Sequence, residues 1–117
     1  LVPVEEYQEN LEKIVQRLKK TGARLVFATT TVIPPEASGR IVGDEVLYND
    51  AAREVLKRHP DIVINDLYRT ILNFPEGRHE TGDVHFFAWG SAKLGHAAGE
   101  IIREILKEED KWHRPPQ

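Results

Sequence analysis

The sequence of 117 residues contains no cysteine and only two serines, Ser38 and Ser91. Without cysteine the chain has no disulfide framework, no thiol nucleophile and no thiolate metal site. The absence of cysteine does not indicate whether the protein is in an oxidising or a reducing compartment. No apolar run approaches the roughly 18 residues that a membrane-spanning helix needs, so no membrane role is expected. The first residues contain no charged stretch followed by an apolar one, and they therefore predict no export signal of their own.

The chain also lacks a strong excess of charge of either sign. Its 16 Lys and Arg residues nearly balance its 19 Asp and Glu residues, which gives a formal net charge of −3. This balance gives the chain no electrostatic reason to bind nucleic acid. Hydrophobic residues make up 40% of the sequence and charged residues 30%, a composition typical of a folded globular protein. The length predicts a single domain covering residues 1–117.

Helical and extended patterns alternate along the chain, which is typical of an α/β fold. Apolar residues at helical spacing predict helices, whereas short continuous apolar and β-branched runs predict strands that are buried on both faces. Right-handed crossovers would make the strands parallel. The predicted elements are a helix at 3–20, a strand at 24–31, a helix at 44–59, a strand at 62–68, a less regular segment at 69–84, a helix at 90–108 and a frayed polar tail at 109–117.

Particular residues define the expected ends and buried faces of the helices. The first helix is expected to end before Gly22, which suits a left-handed C-terminal cap. Asp44 is expected to cap the second helix, and Pro60 to end it. The residues expected to face the core are Tyr7, Leu11, Ile14, Val15 and Leu18 in the first helix, Leu47, Ala51, Val55 and Leu56 in the second, and Leu94, Ala97, Ala98, Ile101, Ile102 and Ile105 in the third.

Two parallel strands make a very narrow sheet. Strands this apolar are expected to have cover on both faces and neighbouring strands on both edges. A strand at 25–31 would leave an apolar edge open if no further strand paired with it. Two arrangements would cover that edge. Either the chain is a homo-oligomer, with this strand or the first helix at the interface, or it is one part of a larger sheet.

Open α/β sheets place their sites at the carboxyl ends of the strands. Three stretches fall there: residues 29–31 with the proline-containing loop that follows, the pair at 65–66, and residues 82–86. In the last of these, His85 precedes a predicted helix and Asp83 lies two residues before it. This is the layout of a general base with an orienting carboxylate. The alternative is a surface histidine that caps the helix or bonds a backbone carbonyl.

The segment Gly-Asp-Val-His-Phe at 82–86, followed by Gly-Ser-Ala-Lys-Leu-Gly at 90–95, resembles the C-terminal catalytic segment of the SGNH hydrolases, also called the GDSL esterase/lipase family. The resemblance continues upstream. Residues 7–31 are similar to the family's fourth helix-and-strand unit, with Thr-Gly-Ala at 21–23 and Phe-Ala-Thr-Thr-Thr at 27–31. Tyr48-Asn49-x-Ala51-Ala52 and the run 64–68 are similar to its fifth. The similarity covers residues 5–106.

This resemblance implies a partial doubly wound fold, a flavodoxin-like three-layer sandwich of SGNH type with a short parallel sheet. It also implies a Ser-dependent hydrolase acting on small O-acyl esters, including acetyl esters of carbohydrates, and needing no cofactor and no metal. His85 would be the catalytic base, Asp83 its orienting partner, and Trp89 a residue lining the substrate pocket. Two departures are plain: the family's usual position for the Asp holds Gly82 here, and its Ser, oxyanion Gly and oxyanion Asn have no counterpart.

The sequence therefore resembles the C-terminal half of an SGNH hydrolase, with the base and without the nucleophile. Ser38, in a Pro/Gly loop, and Ser91, in a helix, both lack the setting of an activated nucleophile. Three alternatives remain open. Trp89 would fill a gap beside the sheet instead of lining a pocket, Asp66 would cap the end of its strand instead of reaching the site, and the whole chain would be a non-catalytic or oligomerising module with a vestigial site. His79, Glu80 and the Asp83–His85 pair lack the spacing of metal ligands on a rigid element.

Overall fold

The computed structural model of the chain describes residues 2–31, 43–74, 86 and 88–113. It is a mixed α/β fold in which helices lie beside a short two-stranded sheet. The order of the elements is α1 (Val4–Lys19), β1 (Val26–Ala28), α2 (Asp44–Leu56), β2 (Val63–Asn65), α3 (Leu67–Leu72) and α4 (Ala88–His113). No helix in these residues combines the length and the apolar character needed to cross a membrane.

The two strands are parallel, as the alternating pattern predicts. Val26 pairs with Val63, Phe27 with Ile64 and Ala28 with Asn65. Both strands are shorter than their apolar runs. The reason is that only three residues of each face a partner strand, and the ladder ends where β2 gives way to the turn into α3.

Helix α1 begins after Pro3 and carries Glu5 and Glu6 in its first turn, where carboxylates favour the positive end of the helix dipole. Past its end, Gly22 has a φ of 75°, which confirms the expected left-handed position. The helix packs against α2. Gln8 Nε2 donates to the carbonyl of Ala51 at 3.0 Å, and the rings of Tyr7 and Tyr48 meet edge to face with centroids 5.1 Å apart.

A hydrophobic core lies between α1 and the sheet. Val15, Leu56 and Ile62 are buried together, and the partly buried Leu11, Leu25 and Phe27 pack around them. Because alternate strand residues face opposite sides, Val26 lies on the other face of the sheet, where it borders a groove with Ile102, Ile105 and Leu106 of α4. The short sheet therefore has helices on both faces.

The prediction for residues 62–72 is wrong in its second half. A strand was expected to run to Tyr68 and an irregular segment to follow, yet residues 67–72 form α3. The Asp66 carboxylate accepts a hydrogen bond from the backbone N–H of Arg69 at 3.1 Å and so caps this helix. Helix α3 packs on α4, and Lys93 Nζ lies 4.7 Å from the centroid of the Phe74 ring.

Helix boundaries and buried faces differ from the predictions in further details. The N-cap of α2 is Gly43, with a φ of 96°, and Asp44 is the first helical residue. Helix α4 starts at Ala88 and continues to His113, five residues past the predicted end at 108. Several side chains expected in the core are exposed, because the two-stranded sheet is too narrow to cover every apolar stripe: Ile14, Leu18, Leu47 and Ile102.

A buried histidine holds α1 at the amino end of the sheet. His59 lies just before β2 and is almost fully buried, and its Nε2 is 2.6 Å from Oε2 of Glu12 on α1. Arg58 lies 3.8 Å from the other oxygen of that carboxylate. The hydrogen bond with His59, reinforced by the charges of His59 and Arg58, lowers the pKa of Glu12. A second pair, between Lys19 and Asp61 at 2.9 Å, lies nearby and lowers the pKa of Asp61.

Glu12 is expected to make the stability of the fold depend on acid. A carboxyl whose pKa is lowered by folding stabilises the folded state above its ordinary pKa of about 4.3, and this contribution is lost as the pH falls through the lowered value. Glu12→Gln should therefore unfold more easily than the wild type at about pH 6, and the gap should close towards about pH 3. Urea unfolding followed by circular dichroism across this range measures it.

The matched control is Glu9→Gln, on the exposed side of the same helix. This variant should follow the wild-type pH dependence. A gap between wild type and Glu12→Gln that stays constant with pH would contradict the role of the carboxylate.

Candidate functional site

Polar residues gather where the parallel strands end. Thr29 and Thr30 follow β1, and Asp66 follows Asn65 at the end of β2. Because parallel strands end at the same edge of a sheet, these residues lie together, as the general rule for α/β sites requires. Thr29 and Asn65 are buried, and Thr29 N–H donates to the Asn65 carbonyl at 3.0 Å.

Asp66 is the centre of this edge. One carboxylate oxygen accepts from the hydroxyl of Thr29 at 3.2 Å and from Arg69 N–H at 3.1 Å. The other accepts from Arg53 of α2 at 3.0 Å. The Thr29 hydroxyl in turn accepts from Tyr68 N–H at 3.0 Å. With three donors on its carboxylate, Asp66 caps α3 and ties it to β1 and α2, so the structural reading of Asp66 is the one its contacts support.

A second link reaches this edge from α2. The side-chain amide of Asn49, which is buried, accepts from Thr30 N–H at 2.9 Å and donates to the Thr30 carbonyl at 2.8 Å. The chain leaving β1 is thereby fixed at both backbone groups of Thr30. The edge is a rigid support for whatever follows it, because its side chains already bond one another.

Beside these residues lies an open pocket of about 470 Å³. Asn49, Arg53, Asp66, Tyr68 and Arg69 contribute to its lining. The pocket lies on the side of the sheet edge where α2 meets α3.

The residues predicted to carry the chemistry fall mostly elsewhere. Asp83 and His85 lie outside the described residues, and so does Ser38. Phe86, next to His85 in sequence, is partly buried. Trp89 lies in the first turn of α4 and is 44% exposed. An exposure this large means that the described part of the chain does not enclose the indole.

Ser91 is exposed on α4 and forms no hydrogen bond with a base among the described residues. An activated serine needs such a base and oxyanion donors around it. Within residues 2–31, 43–74, 86 and 88–113, no three His, Asp or Glu side chains lie close enough together to bind a metal ion.

The sequence alone does not indicate the interactions of Asn49, Arg53, His59 and Glu12. Asn49 was noticed only as part of a motif, and its bonds to Thr30 depend on a crossover that brings α2 beside β1. His59 belongs to no motif in the sequence. The partner, Glu12, lies 47 residues away in sequence, and no local pattern identifies it.

Comparison with known proteins gives a partial match. No protein-family model matches the sequence. A GDSL esterase/lipase of Arabidopsis thaliana is 39% identical over 57 residues, which are 49% of this chain and 24% of that protein. The chain thus covers about a quarter of that relative's length. Across about half of its own length, this chain is similar to a GDSL esterase/lipase.

Proposed function

We propose that the chain is the base-bearing portion of a Ser-dependent ester hydrolase of SGNH type. His85 is the general base, Asp83 orients it, and Trp89 lines the acyl or sugar pocket. The nucleophilic serine comes from polypeptide outside these 117 residues. The substrates are small O-acyl esters, with acetyl groups on carbohydrate as the leading class, and neither a cofactor nor a metal takes part.

The observation that carries this proposal is the 39% identity to a GDSL esterase/lipase over 57 residues. Two features of the fold are consistent with it. Parallel strands end in polar residues at one edge, where α/β enzymes place their sites. Trp89 is exposed at the start of α4, four residues after His85. The fold proposed for the complete enzyme is a flavodoxin-like sandwich, in which residues 1–117 form one C-terminal unit.

The proposed reaction is acyl transfer through a covalent intermediate. The His85 imidazole removes the proton from the serine hydroxyl as its oxygen attacks the ester carbonyl, and it then gives this proton to the leaving alkoxide. Water hydrolyses the acyl-serine with the same histidine as base. Asp83 accepts a hydrogen bond from the imidazole and stabilises its cation. The oxyanion donors, like the serine, come from outside this chain.

The pairing of Asp83 with His85 is tested by proton titration. A nearby carboxylate favours the charged imidazole, so the His85 ring of the wild type should titrate at higher pH than that of Asp83→Asn. NMR of the ring protons measures both midpoints, and His96 on the exposed face of α4 supplies an internal reference. Superimposable His85 curves would remove Asp83 from the proposed site.

A second candidate function is that of a non-catalytic module that associates with itself. The observation that favours it is apolar surface near a sheet edge: Val26, Ile102 and Leu106 are 40% to 54% exposed. Among the described strands, β1 pairs with β2 on one side and with no other strand on the opposite side. A homo-oligomer, most simply a two-fold dimer, would cover this surface. Sedimentation equilibrium of the wild type distinguishes such a dimer from a monomer of 13.4 kDa.

A further inference from the structure

The side-chain amide of Asn49 forms the hydrogen bonds with the Thr30 backbone that a neighbouring strand would form. Its amide oxygen accepts from Thr30 N–H at 2.9 Å, and its amide nitrogen donates to the Thr30 carbonyl at 2.8 Å. One residue of an adjoining strand makes this same pair of bonds to the residue opposite it. Asn49 is 4% exposed, so water does not compete for either bond.

The two bonds lie on the outer side of β1. Leu25 and Thr29 bond to β2 through their backbone: Val63 N–H donates to the Leu25 carbonyl at 3.2 Å and Thr29 N–H donates to Asn65 at 3.0 Å. Backbone groups alternate in direction along a strand, so those of Val26, Ala28 and Thr30 point away from β2. Of these three residues, only Thr30 has a described partner for its outward groups.

We propose that Asn49 is a built-in substitute for a neighbouring strand at the carboxyl end of β1. It closes the outer edge at Thr30, at the end of β1 from which the chain leaves the sheet. A strand edge with free N–H and C=O groups is a template for pairing with another chain. Asn49 therefore shortens this template and fixes the direction in which the chain leaves β1. This role does not depend on any hydrolytic activity.

The first test is amide hydrogen exchange at Thr30 in the wild type and in Asn49→Ala. The Thr30 amide should exchange about tenfold faster or more in the variant, because its acceptor is gone and the edge is open to water. The Thr29 amide, bonded to Asn65, should keep its wild-type rate. Asn49→Asp keeps an oxygen acceptor and should therefore protect Thr30 better than Asn49→Ala does. Asp50→Ala, an exposed neighbour on α2, is the control for helix perturbation.

The second test is association measured by sedimentation equilibrium over a range of concentrations. Asn49→Ala should self-associate at a concentration about tenfold lower than the wild type, because the outward backbone groups of Thr30 lose their partner and become free to pair with another chain. Val26 is 40% exposed, and a lysine there hinders edge pairing. The double variant Asn49→Ala/Val26→Lys should therefore return to wild-type association while its Thr30 amide still exchanges fast.

Two results would overturn the proposal. One is a folded Asn49→Ala whose Thr30 amide is as well protected as in the wild type. The other is association of Asn49→Ala that persists unchanged in the presence of Val26→Lys, which would mean that exposed core, not the strand edge, drives it. If Asn49→Ala does not fold, Asn49→Leu takes its place, because it keeps the buried volume and removes both bonds to Thr30. A folded Asn49→Leu with wild-type exchange at Thr30 and wild-type association would also overturn the proposal.

Discussion

The isolated chain is expected to hydrolyse aryl acetates no faster than a solvent-exposed imidazole does. Loss of the serine nucleophile alone slows a serine hydrolase by a factor on the order of 10⁶. Loss of one oxyanion donor costs about 10²- to 10³-fold. The described residues contain one serine, Ser91, which is exposed and has no base beside it. Hydrolysis should thus rise linearly with substrate concentration and show no saturation.

The measurement is release of nitrophenol from nitrophenyl acetate over a wide concentration range. His85→Ala should remove only that histidine's share of the slow, unsaturable reaction, in the same way as His96→Ala on the exposed face of α4. Saturable turnover that disappears in Ser38→Ala or Ser91→Ala would contradict the assignment and identify a nucleophile within this chain.

Ile71→Ala should destabilise the fold by about 2–5 kcal/mol, the usual range for truncating a fully buried aliphatic side chain. Ile71 is 0% exposed and lies in α3, the short helix that joins the sheet edge to α4. The loss combines the transfer of the deleted atoms with the cavity they leave. Because α3 is capped by Asp66, the polar edge of the sheet should loosen along with it.

Leu72→Ala is the matched control, since Leu72 is the next residue of the same helix and is 42% exposed. It should cost under about 1 kcal/mol. Urea unfolding of both variants gives the comparison. Equal losses in the two variants would mean that α3 is not packed in solution as it is in this fold.

The elements that follow from local pattern were predicted well. Continuous apolar runs identified both strands and their parallel direction, and helical spacing identified the three long helices. Helix α3 was missed because the prediction joined Leu67 and Tyr68 to residues 62–64 as one run, across the polar residues Asn65 and Asp66. The Asp66 side chain divides this run: by accepting from Arg69 N–H it starts a helix where hydropathy alone continues the strand.

Burial followed the pattern less closely than secondary structure did. The stripe on α1 was recognised, yet Val15 is buried while Ile14 and Leu18 are exposed. Periodicity identifies the apolar face of a helix but does not say how much of it a neighbour covers. With only two short strands to pack against, the described helices keep part of their apolar surface in water.

The polar edge of the sheet was predicted as a location, without its bonds. Thr29, Thr30, Asn65 and Asp66 were expected there because strand ends in parallel sheets coincide. The contributions of Asn49 and Arg53 depend on how α2 crosses from β1 to β2, which no local pattern specifies. These long-range bonds make the edge rigid, and they are the part of the site that needed three-dimensional structure.

The most direct test of the central claim is to supply the serine-bearing part that the proposal places outside these residues. The chain would be fused behind the part of the Arabidopsis GDSL esterase/lipase that precedes the matched 57 residues, and cooperative unfolding would establish that the fusion folds. Saturable hydrolysis of nitrophenyl acetate is predicted, falling by a factor on the order of 10⁶ in His85→Ala and remaining unchanged in His96→Ala. A folded fusion that is inactive, or whose hydrolysis is the same in His85→Ala, would contradict the assignment of this chain as the base-bearing portion of an ester hydrolase.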